Sequence, residues 1–186
     1  MPAGKLSRRD GANPQAFSSN DRDRFHGHLF RLDREARRDR FGCCFLDDDF
    51  LERYVQNIDF GNTALWGLLI AEDVRALAEL RSLTPEWASQ AELILTVETA
   101  WRERRFGNAL FKQAAFWAQE HGIRELYTHC DLATRCSLGL LRFLSSEGQS
   151  EPAGPLAVFE LQALGNEPVS ILPSEGAILV RLAKPG

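Results

Sequence analysis

The stretch Ala91-Glu-Leu-Ile-Leu-Thr-Val-Glu-Thr-Ala-Trp-Arg-Glu-Arg-Arg-Phe-Gly-Asn-Ala-Leu-Phe111 decides the fold. Residues 91–97 are mostly aliphatic or β-branched and favour a buried strand, whereas residues 108–121 carry apolar side chains at helical spacing. A short turn between them holds three arginines beside Gly107. A helix N-terminus exposes unpaired N–H groups and a partial positive charge, so this order of elements predicts a phosphate site. The arginines suit a ligand with several phosphates.

Composition narrows the class of protein. A length of 186 residues is typical of one domain with one substantial core, and the net charge of −4 does not favour nucleic acid. The N-terminal residues lack the apolar segment of a signal peptide, and no apolar run is long enough to span a membrane. The four cysteines, Cys43, Cys44, Cys130 and Cys136, match no zinc spacing. We therefore expect a cytoplasmic protein with free thiols and with neither a membrane nor a nucleic-acid partner.

The remaining elements can be placed from caps, periodicity and turns. Residues 1–21 are polar and predict a flexible N-terminal arm, and residues 22–186 are expected to form a single domain. The patterns predict helices after residue 21, after caps at Asp33 and at Asp47 or Asp48, and over 107–121 and 134–146, with strands over 63–71, 74–83, 90–99, 125–130, 155–164 and 177–183. Residues 74–83 also permit a helix, but the short link before them favours a strand. This order fits an α/β (α+β) fold with a mixed sheet and helices on both faces.

The order of elements and the turn at residues 101–109 resemble the GNAT superfamily of acyl-CoA-dependent N-acyltransferases, of the bacterial single-domain acetyltransferase type. In that family a central strand leads into a turn of the form Arg/Gln-x-x-Gly-x-Gly/Ala, which opens a helix. Two registers fit: residues 104–109 satisfy the pattern as written, and residues 101–110 align with aromatic-Arg-Gly-Arg-Gly-aliphatic-Gly-x-x-Leu. The second matches more of the surrounding sequence, with Glu103 and Arg105 where the family usually has glycine.

Two further segments carry the resemblance. Leu32-Asp-Arg-Glu-Ala-Arg-Arg-Asp-Arg-Phe41 is similar to Leu-Ser/Asp-Pro-Glu-x-Arg-x-x-Arg-Phe of a bacterial subgroup, and Tyr127-Thr-His-Cys130 is similar to its fifth strand. The family often has an Asn after that strand and a Tyr in the next helix, and this chain has neither. The resemblance thus implies a mostly antiparallel GNAT-like central sheet, and it leaves open which acid protonates the departing thiolate.

The resemblance also implies a reaction, the transfer of an acetyl group from acetyl-CoA, a co-substrate, to a primary amine by direct attack in a ternary complex. The turn would hold the diphosphate, and the pantetheine arm would pair with the central strand where that strand splays from the fifth. The implied carrier-binding residues are Val97, Thr99, Arg102, Arg104, Arg105, Phe106, Gly107, Asn108 and Ala109. The acceptor would be a small-molecule or protein amine. Closing strands in this superfamily often join subunits, which suggests a homodimer.

Two carboxylates are candidates for the catalytic base. Strand alternation places Glu92 and Glu98 on one face. The resemblance favours Glu92, because many relatives carry a Glu at the start of this strand, where it would act through water. Glu98 lies nearer the carrier turn and is the second choice. A lone Glu on a strand is, however, more often solvated or salt-bridged.

Less specific interpretations remain beside this one. The arginines at 102–105 could form only a solvated turn, and Arg40 is expected to decorate a helix that could border the acceptor site. His26-Gly-His28 could suggest a metal, but no further ligand pattern accompanies it, so no metal is expected. The alternative functions are a GNAT-like module that binds acyl-CoA with weak or no turnover and acts in regulation or interaction, and a scaffold that binds no carrier.

Overall fold

The computed structural model describes residues 13–42 and 46–129, together with strand segments at 150–153, 156–159, 173–174 and 177–181. The elements, in chain order, are β1 (Gln15–Phe17), a 3-10 turn (Ser19–Asp21), α1 (Arg22–Arg31), α2 (Arg34–Phe41), α3 (Asp48–Gln56), β2 (Thr63–Ile70), β3 (Asp73–Ser82), a 3-10 turn (Pro85–Trp87), β4 (Gln90–Val97), a 3-10 turn (Thr99–Arg104), α4 (Phe106–Glu120), β5 (Glu125–His129), β6 (Ser150–Ala153), β7 (Leu156–Phe159), β8 (Pro173–Ser174) and β9 (Ala177–Arg181). The predicted helix at 134–146 lies outside the described residues.

Aspartate caps fix the starts of two N-terminal helices. Asp33 accepts the backbone N–H of Ala36 at 2.8 Å where α2 begins. Asp47 accepts the N–H of Phe50 at 2.8 Å where α3 begins. Each carboxylate satisfies one of the N–H groups that the first turn leaves unpaired. The predicted cap at Asp33 is therefore confirmed, and Asp47 rather than Asp48 caps α3.

The main sheet is mixed and mostly antiparallel. It has seven strands in the order β1-β2-β3-β4-β5-β9-β8, and β6 pairs with β7 separately. Among its pairs, β4 with β5 is parallel and the others are antiparallel. The segment at 74–83, which also permitted a helix, is strand β3. The predicted fold class, with its meander of β2, β3 and β4, is confirmed.

Helices cover both faces of this sheet. On one face α4 packs Leu110 and Phe111 against β2, β3 and β4, and on the other face α1 and α3 bury Phe25, Leu29 and Leu51. Burial of each such side chain contributes about 1.5–3 kcal/mol. The alternation of β4 follows from these contacts, because Leu93 lies in the core under α4 whereas Thr96, on the opposite face, contacts His28 of α1.

The first strand was not predicted. Residues 15–17 pair with residues 65–67 of β2, and Phe17 is buried. Its ring lies over Gly67, where an added Cβ would come within 2.3 Å of the ring, so the glycine makes room for the aromatic side chain. The predicted N-terminal arm to residue 21 is therefore wrong from Gln15 onward, because a three-residue strand with one buried aromatic gives no periodic signal. Residues 1–12 lie outside the described part of the chain.

Candidate active site

The parallel pair of strands separates at Glu92. The ladder joins residues 90–92 of β4 to residues 125–127 of β5, over three residue pairs. In the described part of the two strands, β4 continues to Val97 and β5 to His129 without further pairing between them. The backbone groups on this edge of β4 beyond Glu92 thus have no partner from β5, and an extended ligand could bind them. Here we call the point where the two strands separate the fork.

The N-terminus of α4 lies beside this open edge. A 3-10 turn (Thr99–Arg104) follows β4, two residues earlier than the predicted strand end, and Arg105 then takes a left-handed conformation with φ 59°. The N–H of Ala109 donates to the carbonyl of Arg105 at 3.2 Å and closes the first turn of α4. The N–H groups of residues 106–108 precede that bond and belong to the set without an intrahelical partner. The helix dipole adds partial positive charge there, so this end can receive an anion.

The glycine at this helix start is not required by packing within the protein. A Cβ added at Gly107 would contact Val97 Cγ2 at 4.0 Å, an ordinary van der Waals distance, and no closer atom of the described chain. Its φ lies outside the left-handed region. Because neither space nor backbone conformation demands glycine here, the missing side chain instead permits close approach by a ligand. The same distance places the end of β4 against the start of α4.

The arginines of the turn have different environments. Arg102, 12% exposed, donates from Nη1 to Glu35 at 2.7 Å and from Nη2 to Asp33 at 3.4 Å, and the Thr99 hydroxyl donates to Asp33. Arg102 and Thr99 therefore tie the turn to the start of α2, and this geometry does not support their predicted direct contact with a carrier. Arg105 is exposed and has no ion-pair partner among the described residues.

The other predicted carrier-binding residues offer mostly backbone. Phe106 is buried and stacks on Trp101 with ring centroids 5.9 Å apart, so its side chain belongs to the core. Val97 is buried under α4, and the N–H of Ala109 is used by the helix, which removes Ala109 as a donor. Asn108 is half-buried at the helix start. The side chain of Arg104 lies outside the described atoms.

Glu98, the second candidate base, is held by an ion-pair cluster. Its Oε1 accepts from Arg31 Nε at 2.8 Å, and its Oε2 accepts from Arg75 Nη1 at 3.0 Å. Burial acts to raise the pKa of Glu98, but hydrogen bonds from His28, Arg31 and Arg75 outweigh it and lower the pKa to about 2. A carboxylate with so low a pKa and both oxygens occupied is a poor base near neutral pH. The prediction of Glu98 as a base is therefore not supported.

His28 lies beneath this cluster, fully buried. Its Nδ1 is 3.2 Å from the carbonyl of Val74, and its Nε2 is 2.8 Å from Thr96 Oγ1. The pattern assigns the proton to Nδ1, since a carbonyl can only accept. Burial lowers the pKa of His28, despite the opposing effect of Glu98, and favours the neutral ring. Both ring nitrogens are thus used internally, which argues against a metal at His26-Gly-His28.

We expect Glu98→Gln to lower the free energy of unfolding at pH 7 by about 2–3 kcal/mol, because it removes the charge that two arginines bind. A carboxyl whose pKa falls from 4.5 to about 2 on folding stabilises the protein above pH 4.5, and this contribution is lost as the pH falls toward 2. In urea denaturation, the difference in the free energy of unfolding between variant and wild type should therefore become smaller as the pH falls from 4.5 toward 2. A difference independent of pH would contradict the assignment. Glu72→Gln is the control, because the Glu72 side chain is 86% exposed and its ion pair should contribute little to stability.

Glu92, the first candidate base, lies at the fork. It is the last residue of β4 in the ladder with β5, and its side chain is 16% exposed. It lies on the same strand face as Thr96, which contacts α1. Its Oε2 accepts from Arg81 Nη2 at 2.8 Å, across the β3–β4 pair. Of the two predicted carboxylates, Glu92 is therefore the one at the fork, whereas Glu98 follows the other end of the open edge.

A cleft of about 490 Å³ opens beside Arg81, between α3 and β3. Phe50, Tyr54 and Ile58 form much of its apolar wall, and Glu79 and Arg81 contribute polar groups from β3. Sequence reasoning missed this cleft, because its walls come from elements far apart in the chain.

Glu79, 1% exposed, anchors the wall of the cleft. Tyr54 donates its hydroxyl to the two carboxylate oxygens of Glu79 at 2.8 and 3.0 Å, and Arg40 forms an ion pair with the same group. Burial, supported by the nearby Glu79, raises the pKa of Tyr54 to about 12 and keeps the hydroxyl protonated as a donor. The guanidinium of Arg40 also lies over the Tyr54 ring at 5.4 Å. Arg40 is thus a buried structural residue, not the surface decoration that its charge suggested.

No family model matches the chain, and no curated protein matches it in sequence. The solved structure of the GNAT domain of S. lividans PAT aligns over 90% of this chain and 87% of that chain, with a TM-score of 0.62 and 16% identity. The chain has the GNAT fold. The resemblance that the sequence carried is confirmed at this level.

Two more GNAT structures illustrate the range of the fold. An aminoglycoside acetyltransferase from an uncultured soil metagenomic sample, solved with sisomicin, has a TM-score of 0.55 and 20% identity over 76% of this chain and 91% of its own. The ribosomal-protein-S18-alanine N-acetyltransferase from Escherichia coli has a TM-score of 0.54 and 13% identity over 91% of this chain and 92% of its own. These neighbours share the arrangement of elements with this chain at low sequence identity.

The described residues contain neither a candidate metal site nor a helix that could span a membrane. No group of three or more His, Cys, Asp or Glu side chains there is placed to hold a metal ion. None of the helices in that part of the chain has the length and apolar character that a bilayer crossing requires.

Proposed function

We propose that this protein is an acyl-CoA-dependent N-acetyltransferase, which moves an acetyl group from acetyl-CoA to a primary amine by direct attack in a ternary complex. The observation that carries the proposal is the fork at Glu92, which lies on the strand that runs directly to the open start of α4. The fold is shared with acetyltransferases named for aminoglycoside and protein acceptors, which supports an amine as acceptor. A cytoplasmic location, a homodimer and the lack of nucleic-acid and membrane partners stay predictions.

The carrier would be held mainly by backbone. The N–H groups of residues 106–108 and the side chain of Arg105 would bind the diphosphate of acetyl-CoA, and Gly107 would let it approach closely. The pantetheine arm would pair with the edge of β4 beyond Glu92, up to Val97. Arg102 and Thr99 support this site indirectly by fixing the turn to Asp33.

The chemistry then requires one base and one polarising donor. Glu92 would accept a proton from the bound ammonium, and the neutral nitrogen would attack the thioester carbonyl. A backbone N–H on the open edge of β4 near Val97 would stabilise the oxyanion. The attack forms the C–N bond, and collapse of the tetrahedral intermediate restores the carbonyl and breaks the C–S bond. The nitrogen releases its remaining extra proton to solvent, and the coenzyme A thiolate takes up a proton from solvent. The cleft beside Arg81 would receive the rest of the acceptor.

We expect Arg105→Ala to weaken the binding of acetyl-CoA by roughly tenfold or more, since it removes a charge-assisted hydrogen bond to the diphosphate. Isothermal titration calorimetry on the full chain measures the change. The matched control is Arg124→Ala, which removes an exposed arginine beyond the opposite end of α4. An unaltered affinity in Arg105→Ala would place the diphosphate elsewhere, and no binding by the wild type would leave only a scaffold.

A second candidate is a carrier-binding module without turnover. It is motivated by the missing family Asn and Tyr, since this chain has two tyrosines, at positions 54 and 127. Thiol release from acetyl-CoA with a panel of primary amines separates the two functions. Binding of acetyl-CoA without thiol release for any amine of the panel would favour the module.

A further inference from the structure

Arg81 lies between the cleft and Glu92. Its Nη2 is 2.8 Å from Glu92 Oε2, and its Nε is 3.6 Å from Glu79 Oε1. Arg81 and Glu79 line the cleft, whereas Glu92 is not among the lining residues. The Arg81 side chain is 40% exposed and that of Glu92 is 16% exposed. An acceptor that enters from the cleft therefore meets the guanidinium before it meets the carboxylate.

The bound guanidinium resembles an ammonium ion in the two properties that matter at a carboxylate. Both are cations, and both donate N–H hydrogen bonds to one oxygen at about 2.7–2.9 Å. One position on Glu92 Oε2 cannot hold both. If Glu92 is the base, as in the proposed function on which this inference rests, then Arg81 occupies the place of the substrate amine.

We propose that Arg81 is a displaceable, specificity-determining residue that occupies the acceptor-amine position on Glu92 and must move toward Glu79 before an acceptor can bind. Displacing Arg81 removes this ion pair from Glu92, and a cationic acceptor restores a positive charge at the same oxygen. Neutral nucleophiles such as alcohols do not replace it. Arg81 thus selects acceptors that arrive as primary ammonium ions.

Glu79 gives Arg81 a second place to bind. Arg81 Nε is buried and has no hydrogen-bond partner among the described residues, so a shift of the guanidinium toward Glu79 Oε1 would satisfy it. Burial acts to lower the pKa of Arg81, but Tyr54, Glu79 and Glu92 outweigh it and raise the pKa, so the side chain stays charged in either position. The exchange therefore replaces the contact with Glu92 by a shorter contact with Glu79, to which Arg81 is already close.

The other charged and titratable groups near Glu92 do not offer the same exchange. Tyr127 is its cross-strand partner on β5 and lies near Glu125 and Gln90, with its hydroxyl 3.1 Å from Glu125 Oε2 and 3.2 Å from Gln90 Nε2. Arg40 and Tyr54 reach Glu79 from α2 and α3. Among the described cations, Arg81 lies within ion-pair distance of both Glu79 and Glu92.

The test uses n-butylammonium as a minimal acceptor and the full chain. We expect Arg81→Gln to bind it about tenfold tighter than the wild type, by ligand-observed NMR titration, because the competing charge-assisted bond is gone. Glu92→Gln on the Arg81→Gln background should return the affinity to the wild-type level. Arg81→Lys keeps the charge and should bind no tighter than the wild type. If Arg81→Gln does not fold, Arg81→Met, which keeps the aliphatic stem, takes its place.

The KM values distinguish this role from a purely structural role of Arg81, which would not lower the KM for the amine alone. We expect Arg81→Gln to lower KM for n-butylamine severalfold while KM for acetyl-CoA is unchanged. Arg24→Gln, a surface arginine 3.1 Å from Glu72, is the control and should change neither constant. Equal or weaker n-butylammonium binding by the uncharged variant, or tighter binding that survives Glu92→Gln, overturns the inference. If the wild type does not bind acetyl-CoA, the proposed function is contradicted instead. The binding of acetyl-CoA and the binding of n-butylammonium are measured separately, so the two outcomes can be distinguished.

Discussion

Replacing Glu92 by Gln is expected to lower kcat for amine acetylation by about 10²- to 10⁴-fold, the usual contribution of a general base. Gln keeps the size and hydrogen-bonding shape of the side chain at the fork but cannot accept the proton. The affinity for acetyl-CoA should not change, because the carrier would bind backbone beyond the fork. Thiol release at saturating carrier and amine gives kcat, and calorimetry gives the affinity.

The matched control for that experiment is Glu98→Gln, the same chemical change one residue beyond the end of the same strand. Glu98 is bound by Arg31 and Arg75, so its replacement should lower stability yet leave kcat per folded molecule within a few-fold of the wild type. A fully active Glu92→Gln enzyme would show that another group, or solvent, removes the proton. Inactivation by both changes alike would point to a loss of structure rather than of the base.

Glu79→Ala is expected to lower the free energy of unfolding by about 3–5 kcal/mol. The change would leave the Arg40 guanidinium, 1% exposed, buried without its counter-charge. It would also remove the acceptor of the Tyr54 hydroxyl. The contacts of Arg40 with the rings of Phe25 and Phe41, at 5.5 and 5.1 Å, compensate only a part of the lost ion pair. Urea denaturation measures the change.

A double variant separates the loss of a pair from the burial of a lone charge. Arg40→Met combined with Glu79→Leu removes both charges and should recover most of the stability that Glu79→Ala loses. Glu72→Ala, which affects a carboxylate 86% exposed on its surface pair, should cost well under 1 kcal/mol. A double variant as unstable as Glu79→Ala would show that packing, not an uncompensated charge, dominates at this wall of the cleft.

The parts of the fold that the sequence predicts are those with a local signal. The strand, turn and helix across residues 91–121 have clear periodicity, and the caps of α2 and α3 have the expected residue types. The separation of β4 from β5 was expected from the family resemblance alone, because nothing in the residues of either strand says where a parallel ladder ends. The strand at 15–17 is too short to produce a pattern, since only Phe17 among its residues is buried.

The charged residues were harder to place than the apolar ones. The pattern of β3 presents Glu79 as a polar position in an alternating strand, which reads as solvent-facing until Tyr54 and Arg40 are brought over it by α2 and α3. Arg102 and Arg105 look equivalent in the sequence, yet Arg102 faces the carboxylates that begin α2 whereas Arg105 is exposed. Long side chains reach partners that are distant in sequence, and one-dimensional spacing does not record those partners.

The placement of α2 has a mechanical consequence. Asp33, which caps it, binds Thr99 and Arg102 in the turn before α4, and Arg40 near its other end binds Glu79 in the wall of the cleft. A helix of eight residues is a stiff rod about 12 Å long. Such a rod, fastened at both ends, transmits a tilt at one end to the other. The proposed carrier site and the proposed acceptor cleft are therefore coupled through α2. Substitutions on the exposed surface of this helix should affect the binding of both substrates.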